Sequence, residues 1–250
     1  MIRAEGLSIA FGPKVVLDEL SITVEPGTAT VVMGRSGIGK SVLLKCLSGL
    51  LKPQEGVISI DGEPIIGVSR AERERITSKI GMLFQEGALF DSMTVYENIA
   101  FPLVYHRRYT RTEIDRRVRR YAEIVEMGRY LSLYPRELSG GMKRKVALAR
   151  AVILEPAYLF YDEPTTGLDP ESAGIVEIMI RKLQDELSIT SLVITHDIEL
   201  ARFVGTHIAL LEQGRIMAFQ EKALAFAEDS EIWQNFLSCR DKMHQEHGLR

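Results

Sequence analysis

The sequence predicts an α/β fold built around a phosphate-binding turn, on three observations. The segment Gly34-Arg35-Ser36-Gly37-Ile38-Gly39-Lys40-Ser41 fits the pattern G-x-x-x-x-G-K-[ST]. A β-branched apolar run, Thr28 to Met33, precedes it, and Val42, Leu43, Leu44, Leu47, Leu50 and Leu51 follow at helical spacing until Pro53. Two further apolar runs end on polar residues, Tyr158–Tyr161 on Asp162-Glu163 and Thr190–Thr195 on His196-Asp197. Strand ends of that kind sit near the ligand crevice of an open α/β sheet.

The turn has the context its chemistry needs, a strand before and a helix after. Gly34, Gly37 and Gly39 allow a tight turn that brings several backbone N–H groups onto one point, an anion nest. The helix opening at Lys40 adds partial positive charge aimed at the same place. Lys40 is expected to reach the β- and γ-phosphates, and the Ser41 hydroxyl to sit on Mg²⁺.

The chain has 250 residues, 46% hydrophobic and 26% charged, enough for one large domain or one domain with an inserted subdomain. A net charge of −3 argues against a dedicated nucleic-acid binder. Arg3 and Glu5 with no apolar core segment argue against a signal peptide. No uncharged apolar run approaches the ~18 residues of a membrane-spanning helix. Cys46 and Cys239 are two and far apart, and read as plain thiols in a reducing, cytoplasmic compartment.

Residues 1–27 alternate and turn, predicting short antiparallel strands, with Gly12-Pro13 and Pro26-Gly27 at turns. From position alone Phe11 reads as a core aromatic. Val57, Ile58 and Ile60 before Asp61-Gly62 predict another hairpin. Arg70–Ser78 is charged and reads as a short exposed helix, and Ile80–Phe84 as a buried strand ending on Gln85.

Residues 87–137 read as an inserted helical subdomain. Thr110-x-x-Glu113 resembles a capping box, and Ile114, Val118, Tyr121, Ile124 and Val125 keep helical spacing. Arg107, Arg108, Arg111, Arg116, Arg117, Arg119 and Arg120 make the stretch basic, either as a solvated helix face or for attraction to an anionic membrane surface. Leu138-Ser139-Gly140-Gly141-Met142 heads another helix, a second anion-seeking N-terminus with Lys143, Arg144 and Lys145 nearby. One ATP does not need both helix ends from one chain, which hints at a dimer.

An apolar strand ending on adjacent carboxylates is costly unless a cation or a reaction uses them. Asp162 is the natural partner of Mg²⁺ opposite Ser41, and Glu163 is placed to polarise an attacking water. Asp169 reads as an N-cap with Pro170 at the first helical position, ahead of an amphipathic helix at Ile175–Leu187. His196 has two readings, a structural histidine or a sensor of the γ-phosphate; His106, His207, His244 and His247 are not read as metal ligands. Ile208–Leu211 and Ile216–Phe219 form a last hairpin, short helices with Trp233 and Phe236 as docking anchors follow, and 240–250 read as loose.

In this order the motifs resemble those of the ATP-binding cassette (ABC) ATPases over essentially the whole chain. The resemblance implies a P-loop NTPase core with an N-terminal antiparallel β subdomain (together 1–86 and 138–220), a helical subdomain (87–137) and a C-terminal helical extension (221–250). It implies ATP and Mg²⁺, with Gly34 to Val42 on the phosphates, Phe11 stacked on adenine and Val16 beside the base or ribose. Ser41, Gln85 and Asp162 would serve the metal, Glu163 catalysis, and His196 the γ-phosphate, with Gly167-Leu168-Asp169 as the D-loop. Ser139, Gly140 and Gly141 would close the site from a second copy, head to tail. Met142 stands where many members carry glutamine, and Phe11 where tyrosine is usual.

A finer resemblance, carried by Ser36 to Lys40, Phe84 to Val95 and Glu97 to Leu103, is to the ATPase subunit of Mla- or Mce-type lipid transporters. It implies a peripheral protein on the cytoplasmic face of the inner membrane, with a permease docked through a coupling helix. It further implies an Mce substrate-binding protein and, in some systems, a STAS-domain partner, with no nucleic acid. The alternative is the ATPase of an ABC transporter for a polar solute. A soluble ABC protein of ribosomes or DNA tends to carry a second cassette or a long coiled-coil insertion, neither of which is seen. A non-hydrolysing ATP-gated module does not fit the presence of both Glu163 and His196.

Overall fold

The computed structural model describes residues 1–85, 87–227, 233, 234 and 236. Its first part is an antiparallel sheet. Strand β1 (Ile2–Phe11) pairs with β2 (Lys14–Val24) through the Gly12-Pro13 turn. These are two long strands rather than several short ones. Ile2 and Ala4 face inward, the register shifts between Ala4 and Leu7, and Leu7 and Ile9 then face inward before the strand runs past the core at the hairpin tip. Phe11 therefore lies beyond the core: 52% of its surface is exposed, so the reading of Phe11 as a core aromatic is corrected.

Strand β3 (Ala29–Met33) leads into the glycine turn and helix α1 (Lys40–Leu47). Strands β4 (Glu55–Ile60) and β5 (Glu63–Pro64) make the expected hairpin across Asp61-Gly62 and complete a sheet of order β2-β1-β4-β5. Helix α2 (Arg70–Thr77) is charged and mostly exposed, and β6 (Ile80–Leu83) follows.

Helices α3 (Val95–His106) and α4 (Arg111–Ile124) then pack on α5 (Gly140–Val152). Both α3 and α4 open on full capping boxes, Thr94 with Glu97 and Thr110 with Glu113. The first was missed in the sequence although its spacing is identical, because the apolar residues around it gave no clear period. Asn98, fully buried, holds the loop before α3 by accepting from Phe90 N and donating to the carbonyls of Phe90, Met93 and Thr94.

Strand β7 (Tyr158–Asp162), helix α6 (Pro170–Leu187), strand β8 (Thr190–Thr195) and helix α7 (Ile198–Val204) precede the hairpin of β9 (His207–Glu212) and β10 (Arg215–Glu221) and the short α8 (Lys222–Ala225). Asp169 caps α6 with Pro170 at its first position, so that helix begins earlier than its apolar period suggested. The main sheet has the order β10-β9-β3-β8-β7-β6 and is parallel except for β10.

Side-chain alternation puts one core on each face of this sheet. Val31, Met33, Leu159, Tyr161 and Val193 pack against α3 to α7, and Val32, Phe160, Leu192 and Ile194 pack against α1 and the antiparallel sheet. Trp233 is buried in the first core and Phe236 packs against it; most of the expected C-terminal extension, including Cys239, lies outside the described residues. Cys46 is a buried free cysteine whose thiol burial pushes up to about 11, chemically quiet at neutral pH.

Candidate functional site

Parallel pairing sets the site. Met33 is level with Thr195, Asp162 with Ile194, and Leu83 with Tyr161. The segments after β3, β6, β7 and β8 therefore leave the sheet along one edge, where an open α/β fold binds ligands. They carry the glycine turn, Gln85, Glu163 and His196.

These residues line a cleft of about 460 Å³ together with Phe11 and Val16 from the β1–β2 hairpin. From the turn, Ser36, Gly37, Gly39, Lys40, Ser41 and Val42 reach it. Gly34 lies beneath, where an added Cβ would sit 2.6 Å from Leu211 O. Arg35 is exposed and contributes its carbonyl, and Ile38 packs into the core below. Lys14 and Thr166 also line the cleft and were not singled out in the sequence, where nothing marks either residue.

The turn is built for close approach. Gly39 has φ 115°, and a Cβ there would come within 2.8 Å of Val16 Cγ1. Gly37 has φ 76° with nothing within 4 Å of an added Cβ, so its backbone opens outward. Gly39 caps α1 without any side-chain hydrogen bond, which leaves the first amides of the helix for an anion.

Lys40 is buried, and its Nζ donates to the carbonyl oxygens of Gly34 (2.8 Å) and Arg35 (3.1 Å) and pairs with Glu163 Oε1 at 3.2 Å. Glu163 sits at φ 47°, with its N–H bonded to Ile194 O at 2.9 Å. Its Oε2 accepts from Thr166 Oγ1 at 3.1 Å and lies 2.9 Å from Nδ1 of the half-exposed His196. Ser41 Oγ donates to Asp162 Oδ1 at 2.9 Å. Burial holds the Asp162 carboxyl above the usual carboxylate range, against the lowering effect of that hydrogen bond.

This donor set fits a nucleoside triphosphate, with open amides and a buried ammonium for phosphates and an exposed aromatic at the rim for a base. It also fits a hard cation that keeps much of its water shell, since the candidate oxygens are one hydroxyl, one carboxylate and the side-chain amide of Gln85; no cluster of three or more His, Cys, Asp or Glu suited to an all-protein metal cage occurs among the described residues. The structure brings together all the expected residues except Ser139, Gly140 and Gly141, which do not line the cleft of their own chain. Ser139 caps α5 through Met142 N–H, it and Gly140 are exposed, and Gly141 packs on Ser172.

A family model described as ABC transporter matches residues 17–166, the stretch from β2 through the Thr166 loop. The chain belongs to the ABC transporter family. It is an ATPase of that family. It is 38% identical over 218 residues to the intermembrane phospholipid transport system ATP-binding protein MlaF of Haemophilus influenzae, spanning 87% of this chain and 83% of that one. It is 37% identical over 239 residues to the probable ribonucleotide transport ATP-binding protein mkl of Mycobacterium tuberculosis, spanning 96% of this chain and 67% of that one. Among solved structures it superposes on the ATP-binding cassette MJ0796, a dimer in a post-hydrolysis state bound to ADP and phosphate. That match has a TM-score of 0.80 at 30% identity and covers 89% of this chain and 99% of that one. No helix among the described residues is long and apolar enough to cross a membrane.

Proposed function

We propose that this ABC ATPase energises lipid movement between membranes, as the cytoplasmic, peripheral subunit of an Mla- or Mce-type transporter. The observation that carries the lipid reading is the likeness to MlaF over 83% of that protein's length. In this reading the chain works as a head-to-tail pair, and the dimeric assembly of MJ0796 supports it. Each cleft takes its phosphates on the Gly34–Ser41 turn and is closed by Ser139, Gly140 and Gly141 of the other copy, which this chain leaves exposed or away from its own cleft. An isologous two-fold pairing makes two such sites at once.

Within each cleft Lys40 neutralises phosphate charge, Phe11 and Val16 hold the base, and Glu163 accepts a hydrogen bond from the attacking water and polarises it. Ser41, Asp162 and Gln85 would hold Mg²⁺, which supplies charge stabilisation to the departing phosphate. His196, bonded to Glu163 in this structure, faces the γ-phosphate position and loses that contact after hydrolysis, as does Ser139 of the second copy. Gln85 and the helical 87–137 stretch carry the change to a permease, with an Mce substrate-binding protein and a STAS-domain protein as further partners.

Glu163→Gln tests the chemistry. ATP turnover should fall about 100-fold or more while ATP binding persists and an ATP-bound dimer accumulates. Turnover near the wild-type rate would remove Glu163 from the water-polarising role. Co-purification with the neighbouring membrane subunits, followed by extraction and mass analysis of the bound molecule, tests the cargo. A phospholipid supports the lipid reading. A polar solute would favour the alternative suggested by the likeness to mkl, whose name refers to ribonucleotides.

A further inference from the structure

Gln85 and Glu163 enter the cleft from different loops, yet both loops hang on one side chain of a third element. Arg144, on the second turn of α5, is buried. Its Nη1 donates to the main-chain oxygens of Phe84, at 2.9 Å, and of Gln85, and its Nη2 to that of Thr166 at 3.4 Å. Thr166 is bonded in turn to the carboxylate that does the chemistry. Its hydroxyl donates to Glu163 Oε2 at 3.1 Å, and its N–H to Glu163 O at 3.3 Å. Arg150, farther along the same helix, holds the continuation of the Gln85 loop through the carbonyls of Gly87 (2.6 Å) and Ala88 (2.9 Å).

A guanidinium suits such a bridge. It is a planar fork with several donors and can hold carbonyls of two loops at once, whereas an ammonium is a point charge on a flexible stem. Burying a charge is costly unless it is hydrogen-bonded, so a cation at this place ties the loop oxygens to the helix.

We propose that Arg144 and Thr166 are positioning residues for ATP hydrolysis: Arg144 locks the Gln85 and Thr166 loops to the helix that begins at Ser139, and Thr166 aims the Glu163 carboxylate. The proposal rests on the reading of Glu163 given above. It makes the geometry of one chain's water-polarising group depend on the placement of its own Ser139 helix. Whatever Ser139 binds is thereby linked to hydrolysis in the cleft of the same chain, as well as in the one it closes.

The test measures kcat, ATP KM and equilibrium nucleotide binding in the full chain for Thr166→Val, Thr166→Ser, Arg144→Lys and the double variant Arg144→Lys/Thr166→Val. Thr166→Val and Arg144→Lys are each expected to lower kcat about tenfold or more with KM changed less than about twofold. Thr166→Ser restores the rate by restoring the hydroxyl. The double variant is no more than about twofold slower than the slower single, since both act through Glu163. Wild-type kcat in Thr166→Val and Arg144→Lys, KM rising in step with the loss, or independent multiplication in the double variant overturns the proposal. If thermal melting shows that Arg144→Lys does not fold, the Thr166 pair decides alone. Glu163→Gln is run alongside. If it is fully active, the underlying reading of Glu163 fails; if it is inactive while Thr166→Val has wild-type kcat, only the positioning role fails.

Discussion

Two helix N-termini in this molecule are suited to phosphate, and they are finished differently. Helix α1 begins at a glycine in the left-handed region with no side-chain cap, and its first residues line the cleft with the buried Lys40. Helix α5 begins at Ser139, which satisfies its own helix by accepting from Met142 N–H, and its glycines lie outside that cleft. An uncapped helix end leaves donors that only a ligand or water can satisfy, whereas a capped and exposed one is stable by itself. In the proposed head-to-tail pair the first end therefore works within one chain, and the second contributes when another chain brings a cleft to it.

The largest expected effect that would break this contrast is at the first end. Lys40→Ala should weaken ATP binding to the single chain roughly 10- to 100-fold, the scale of a lost charge-assisted hydrogen bond, read by equilibrium titration. Ser139→Arg should leave that affinity intact and abolish ATP-dependent pairing in sedimentation. Equal loss of single-chain affinity in both variants would mean that the two ends serve one cleft.

A smaller effect sharpens the first end. Because burial raises the Asp162 carboxyl above its ordinary value, the folded state holds that proton more tightly than the unfolded chain. Its stability cost is absent below the unfolded value, grows as pH rises and is complete above the folded value. Asp162→Asn removes the ionisation, so its melting temperature should gain on the wild type progressively as pH rises above the ordinary aspartate range in the absence of Mg²⁺, even as hydrolysis is lost. A gain that shrinks as pH rises would contradict the assignment. The smallest effect concerns capping at the second end. Ser139→Ala should cost about 1 kcal/mol in denaturant unfolding, similar to Thr110→Ala at α4.

Much of this was legible because its causes are local. The β-branched run Thr28 to Met33, the Asp61-Gly62 turn, the Thr110 box and the Asp169-Pro170 start each depend on neighbours within a few residues, and each stands within a residue of where it was expected. Failures came where packing overrode position. Phe11 continues the alternation of a strand that has run past its core. Thr94 was hidden by an all-round apolar context, and Asn98, Lys14 and Thr166 had no local mark, since an isolated polar residue reads alike in a loop or a site. Arg144 read as one more cation near a helix start, and its buried links to three carbonyls join segments far apart in the chain.

By itself the sequence determined which residues are candidates to carry chemistry here. A glycine turn between strand and helix, acids at a strand end and a serine-glycine helix start are short-range patterns, and backbone sterics and capping define them in any context. Only the tertiary structure decided that Ser41, Gln85, Asp162, Glu163 and His196 meet along one sheet edge while Ser139 stays away from it. The order β3-β8-β7-β6 and its register rest on side-chain packing across two cores, between segments that no local rule connects.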